Sequence, residues 1–136
     1  MGSFDNATLM CKRALSYLKV AEQAFNSGYY DVSSTNCEIS AELLIKSTYL
    51  LLGYSYPESH SIRKLLSQLS LLVPELKEDI STFIKERRKD LNQVELSRFK
   101  GQSSLIDVGA DFASDCLATL KEYLIPLIKK IWGQVV

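Results

Sequence analysis

The sequence is poor in the residues that build conventional metal and nucleophilic centres. In 136 residues it holds one histidine, His60, and three cysteines. Cys11, Cys37 and Cys116 are scattered and share no metal-ligand spacing, so one chain cannot assemble a zinc tetrad from them, and no metal or other cofactor is expected. Their odd number does not suit a secreted disulfide scaffold, and a reducing, cytoplasmic setting is expected. The six glycines are isolated, which excludes phosphate-loop fingerprints. No strand-turn-helix serine elbow is present, and a serine or cysteine nucleophile would have only His60 as its usual base. No apolar run approaches the roughly 20 residues that span a bilayer, so neither a membrane span nor a signal peptide is expected. The longest run, Tyr49-Leu50-Leu51-Leu52, reads as a buried helix end. Charge of one sign is also missing: 16 Lys+Arg balance 16 Asp+Glu, which argues against strong non-specific attraction to nucleic acid or anionic membrane.

What is present is helical patterning in quantity. The 46% hydrophobic content supports a real core, and the length suits a single domain over residues 1–136. A first helix is expected from about Asp5 to Ser27, its stripe formed by Ala7, Met10, Ala14, Tyr17, Leu18, Ala21, Ala24 and Phe25, with Gly28 as its stop. A second should begin near Asp31 as cap and end at Gly53, with Val32, Cys37, Ala41, Leu44, Ile45, Thr48, Leu51 and Leu52 inward. Its last turns are apolar nearly all round, so a further side must face another helix or a second copy of the chain. A turn-rich connection, Tyr54 to His60, precedes a short helix from about Ser61 to Leu72, with Ser59 or His60 at its N-cap. A fourth helix opens at Pro74 and carries a stripe as far as Phe99. Lys100 to Ser104 reads as a loop. A last helix spans about Asp107 to Trp132, bent by Pro126. No segment alternates with period two, so the fold class is all-α, an up-down bundle of four to five helices.

Few residues in this bundle suggest chemistry. Glu38 and Glu42 stand one turn apart, a spacing used by carboxylate metal sites, but the Glu-x-x-His element of di-metal bundles is lacking. Glu42 and Lys46 are spaced for a structural ion pair. The segment from Lys85 to Lys100 carries six cations against Glu86, Asp90 and Glu95. It reads as a solvated helical face, or else as an anion contact through Arg98 and Lys100 near a helix end.

Taken in order, several pieces resemble the HEPN family, small prokaryotic helical proteins often encoded beside a minimal nucleotidyltransferase. They are Gly28-Tyr29-Tyr30-Asp31 between the first two helices, the acidic and lysine-bearing run Cys37 to Lys46, Ser59-His60-Ser61-Ile62, which is similar to the family's Thr-His-Ser-Leu element, and Ser97-Arg98-Phe99, which resembles its Ser-Arg-Tyr. The resemblance covers almost the whole chain. It implies a four- or five-helix bundle that pairs with a second copy, and a partner of nucleotidyltransferase type in a toxin–antitoxin or nucleotide-related system. Ribonuclease members carry an Arg followed four to six residues later by His; here no His follows Arg87, Arg88 or Arg98. The expectation is therefore a non-catalytic homodimeric binding module, with Arg98, Lys100, His60 and Arg63 as the residues nearest any nucleotide, RNA or other anion. Two alternatives remain: a diverged ribonuclease using His60 with an Arg across the dimer, and a structural adaptor with no ligand.

Overall fold

Small side chains decide how the first two helices meet. In the computed structural model, which describes residues 3–102 and 107–135, α1 spans Ser3–Asn26 and α2 spans Tyr30–Leu51. Ala7, Ala14 and Ala21 recur every seven residues on α1, Ser33, Ser40 and Ser47 on α2, and all six are completely buried. The Ser33 hydroxyl donates to the Ala21 carbonyl and the Ser40 hydroxyl to the Ala14 carbonyl, each at 2.7 Å. A serine oxygen reaches a neighbouring helix's backbone only where nothing larger than Cβ separates the two. The paired heptads thus set an antiparallel register with close approach along its length. Gly28, at φ 82°, supplies the left-handed turn between the helices.

α2 is the central element, with α1 on one side and most of the later helices on the others. The later helices are α3 (Ile62–Ser70), α4 (Lys77–Glu86, entered through a 3-10 turn at Pro74–Leu76), α5 (Arg88–Gln102), α6 (Ala110–Ala118) and α7 (Ile125–Val135), α4 packing on α3 and α5 instead of on α2. Ile45, Leu65, Leu66, Leu69, Ile80, Leu91, Val94, Leu120, Leu124 and Ile131 fill the core between them, all nearly or fully buried. The described residues are helices and connecting turns, which makes the architecture an all-α bundle.

The apolar end of α2 faces other helices of the same chain, the first of the two alternatives read from the sequence: Tyr49 donates its hydroxyl to the Leu65 carbonyl at 2.6 Å, and the Trp132 indole donates to Thr48 Oγ1 at 3.1 Å. The structure corrects several other expectations. Val32 and Tyr17, expected inward, are 45% and 39% exposed, because the alanine–serine seam rather than the larger side chains faces the α1–α2 contact. Tyr29, not Asp31, precedes α2; the Asp31 carboxylate instead accepts from the Val32 amide at 2.8 Å, inside the first turn. Ser61, rather than Ser59 or His60, caps α3, accepting from the Lys64 amide. The helix from Pro74 breaks at Arg87, and α5 continues through Lys100 to Gln102 where a loop was expected. The closing helix starts at Ala110 and is interrupted by a π-helical turn over Thr119–Leu124, just before Pro126, whose nitrogen has no proton for the usual backbone bond.

Arg87 braces both irregularities. Its guanidinium lies 3.9 Å from the centre of the Tyr123 ring in the π-helical turn and also donates to the Tyr123 hydroxyl, while Phe83 stacks on the same ring at 6.4 Å. Replacing Arg87 by Ala is expected to lower unfolding free energy by about 1–2 kcal/mol. Lysine should restore only part of this, because it cannot stack as a plane. The midpoint of urea unfolding reads both effects.

Candidate functional site

Glu38 and Glu42 share one face of α2, and that face is roofed by two separate pieces of chain. One is α5, which brings Arg98; the other is the turn into α3, which brings His60. The α2–α5 contact is tied by Thr35, whose hydroxyl reaches the Ser97 carbonyl at 3.4 Å, and by Ser97, fully buried between Gln93 and Cys116. With Ser97 locked inward, the next residue on α5 is directed across the carboxylates. Arg98 Nε lies 3.4 Å from Glu38 Oε1 and Nη1 lies 3.8 Å from Glu42 Oε2. His60 Nδ1 is 2.9 Å from Glu42 Oε1 and 3.4 Å from Arg98 Nη1. Lys46 Nζ completes the group at 3.2 Å from Glu42 Oε1, its charge also 5.3 Å from the centre of the Tyr56 ring.

Burial grades the cluster from floor to rim. Glu38 and Glu42 are 1% and 4% exposed, whereas the Arg98 and His60 side chains are 36% and 75% exposed. Both Glu38 carboxyl oxygens and Glu42 Oε2 are buried without an ordinary hydrogen-bond donor. One proton resolves this, carried by Glu38 and donated to Glu42. Burial, with the Glu42 carboxylate beside it, pushes Glu38 up to about 9 against the opposing pull of Arg98 and Lys46. For Glu42, burial pushes upward too but is outweighed by hydrogen bonds from Glu38, His60 and Lys46, which hold it below the usual carboxylate range. At neutral pH Glu38 is therefore uncharged. One carboxylate then faces two cations, Lys46 and Arg98, which leaves the site with an excess positive charge.

The imidazole's tautomer follows from the same distances. Nδ1 cannot donate to Glu42 and accept from Arg98 at once, and the shorter approach to a carboxylate at 2.9 Å makes it the donor. In the neutral ring Nε2 is then the proton-accepting nitrogen, on the side opposite the one that Glu42 holds. Beside the ring, Lys46, Tyr56, Glu58, Ser59 and His60 line a cavity of about 400 Å³. A second cavity of about 300 Å³, between α4 and the π-helical turn, holds the Arg87–Tyr123 stack and lies away from the cluster; its rim includes Asp79, Glu86 and Glu122.

Of the residues expected from sequence, His60 and Arg98 come together and the others do not. The imidazole that does not follow Arg98 in sequence meets it in space: the two are neighbours within one chain, 38 residues apart. Nor does Arg98 serve as a solvated charge complementing a helix end; it is directed onto carboxylates. Arg63 is engaged elsewhere, its guanidinium on both oxygens of Glu95 at 3.2 Å. The Lys100 side chain lies outside the described residues. Glu42 and Lys46 form the ion pair their spacing predicts. Glu38 and Glu42 as part of a polar site were missed, although their placement among buried Cys37, Ala41 and Ile45 was a signal that both carboxyls point into the bundle. Among the described residues no group of side chains could hold a metal ion, and Arg98 occupies the space over the carboxylates where a cation would sit.

Fold and site together define an all-α bundle with a buried carboxyl pair bridged by an arginine at its surface, one member of the pair also holding a histidine. The family model of the HEPN domain matches residues 7–130, and this chain belongs to the HEPN family. No curated protein and no solved structure matches it. No helix among the described residues is long and apolar enough to cross a membrane.

Proposed function

We propose that this HEPN protein is a binding module that recognises a phosphate-bearing ligand, a nucleotide or RNA, on the Arg98–His60 rim. The reading is carried by the contact between the two side chains over a floor in which one of two carboxyls is neutral. Were both carboxyls ionised, Arg98 and Lys46 would be fully compensated and an anion would gain little. With Glu38 protonated, Arg98 retains attraction for phosphate, and His60 can add a hydrogen bond. The module acts as a homodimer beside a nucleotidyltransferase in a toxin–antitoxin or nucleotide-related system, as its family resemblance suggests. The exposed apolar side chains Leu9, Leu15, Tyr17 and Val20 of α1, with Val32 of α2, support a helical pairing surface.

A second reading is cleavage of RNA at the same place. The observation favouring it is the contact itself: an imidazole held through Nδ1 by the Glu42 carboxylate leaves Nε2 on its far side, where a neutral ring can take a proton from an attacking hydroxyl, and Arg98 stands where the phosphate charge would develop. Melting the protein against inorganic phosphate, nucleotides and short RNA tests both. A ligand at 100 times its dissociation constant should add about 2.7 kcal/mol of stability, and Arg98→Ala should abolish that gain. Cleavage of RNA that is lost in both Arg98→Ala and His60→Ala would establish the second reading over the first. Absence of any ligand-induced shift would leave the structural adaptor.

A further inference from the structure

His60 is three-quarters exposed, and its ring is held by side-chain atoms on one edge only. Its place over Glu42 therefore depends on the backbone that carries it. That backbone is gripped from α5 by a single carboxylate. Glu95 Oε1 accepts from the Arg63 amide at 2.8 Å, from the Ser61 hydroxyl at 3.1 Å and from Arg63 Nε at 3.2 Å, while Oε2 accepts from Arg63 Nη2. Ser61 in turn caps α3 through the Lys64 amide, and its own amide donates to Ser59 Oγ. Both residues flanking His60 are thus tied into one network anchored on Glu95. Glu95 lies one helical turn before Arg98, so the same stretch of α5 carries Arg98 and fixes the turn that carries His60.

We infer that Glu95 is a positioning residue for the Arg98–His60 site, holding the Ser59–Ser61 turn so that the imidazole stays on Glu42 and beside Arg98. This rests on the phosphate-binding reading only for its affinity readout. An α3 N-terminus satisfied by solvent alone would keep the helix but release the turn, and the exposed ring would then sample positions away from both partners.

The test compares wild type, Glu95→Ala, His60→Ala and the double variant, with Arg87→Ala as a destabilised control remote from the site. Nitrogen NMR of the His60 ring at pH 8 should report the Nδ1–H tautomer in wild type and a shift toward a solvated tautomer mixture in Glu95→Ala. Inorganic phosphate should bind Glu95→Ala about tenfold more weakly than wild type. In the His60→Ala background the same substitution should change affinity by less than about twofold. Arg87→Ala should lose stability yet keep both the tautomer and the affinity. If Glu95→Ala fails to fold, Ser61→Ala breaks the same bridge with less loss and should move the tautomer in the same direction. An unchanged tautomer, or an equal affinity loss with and without His60, overturns the assignment. If wild type does not bind phosphate at all, the binding proposal falls, and the tautomer alone decides whether Glu95 positions His60.

Discussion

Glu38→Gln should make the protein more stable at pH 7, and the advantage should grow as pH rises toward 9. Glu38 is a carboxyl whose pKa is raised on folding from 4.5 to about 9. Between those values the native state binds a proton that the unfolded state releases, so stability falls as pH rises through the window. The contribution is fully present below about pH 4.5 and is lost once pH passes the folded value. Glutamine removes this dependence and can reproduce the protonated acid: its carbonyl faces Arg98 and its amide donates to Glu42, two contacts that the buried oxygens require. The expected gain at pH 7 is on the order of 1–3 kcal/mol. Glu42 behaves oppositely, since its lowered pKa gives stability that is present above 4.5 and is lost as pH falls through its folded value. Urea unfolding of wild type and Glu38→Gln at pH 3, 5, 7 and 9 separates the two groups. A variant less stable than wild type at pH 9 would mean that Glu38 is ionised in the fold and that no proton is shared.

Enlarging the α1–α2 seam should cost more. Ser40→Leu inserts a branched side chain where Oγ stands 2.7 Å from the Ala14 carbonyl, and both residues have no exposed surface into which the volume could escape. Overpacking of a tight core costs about 1–3 kcal/mol, and loss of the buried hydrogen bond adds about 1 more. The helices would have to separate along the whole heptad register, from Ala21–Ser33 to Ala14–Ser40. A loss of about 2–4 kcal/mol is expected, a large share of the 5–15 kcal/mol typical of a domain. Ser40→Ala, which keeps the volume and removes only the hydroxyl, should cost about 1 kcal/mol. Equal losses for the two variants would mean that the hydrogen bond rather than the close approach holds the seam. Thermal and urea unfolding distinguish these outcomes.

The two predictions fall on different sides of what a linear reading can reach. Helical periodicity located α1, α2 and α3 within a few residues, because each buries one stripe and is closed by glycine, turn or cap signals near Gly28, Gly53 and Ser61. The breaks at Arg87 and in the turn Thr119–Leu124 were not legible, since the apolar stripe continues across both. Pro126 marked a bend in the last helix but not its place, and the contact that joins the two breaks, the stack of Arg87 on Tyr123, links residues far apart in the chain. Most of the side chains read as inward are buried, Tyr17 and Val32 being exceptions. Ala7, Ala14 and Ala21 were read as part of the inward stripe of α1, but the serines that face them, Ser33, Ser40 and Ser47, were not, because a hydroxyl carries no weight in a hydrophobic pattern.

The candidate site was legible residue by residue but not as an assembly. His60 and Arg98 could be singled out as the lone imidazole and a motif-borne cation, yet the search for an Arg with a His a few positions downstream looked along the chain. The pairing here runs through space, from the α3 entry to α5 over the carboxyls of α2.

Composition and period alone determined an all-helical chain in which one imidazole, three separated thiols and isolated glycines exclude most metal and phosphate-loop chemistry. These are local properties, written in residue type and spacing. Tertiary structure decided which charges meet, that Glu38 keeps its proton, that Arg63 belongs to Glu95 and that Arg98 belongs with His60. The physical reason is that a pKa and an ion pair depend on distance and burial, and helices that are far apart in sequence set both.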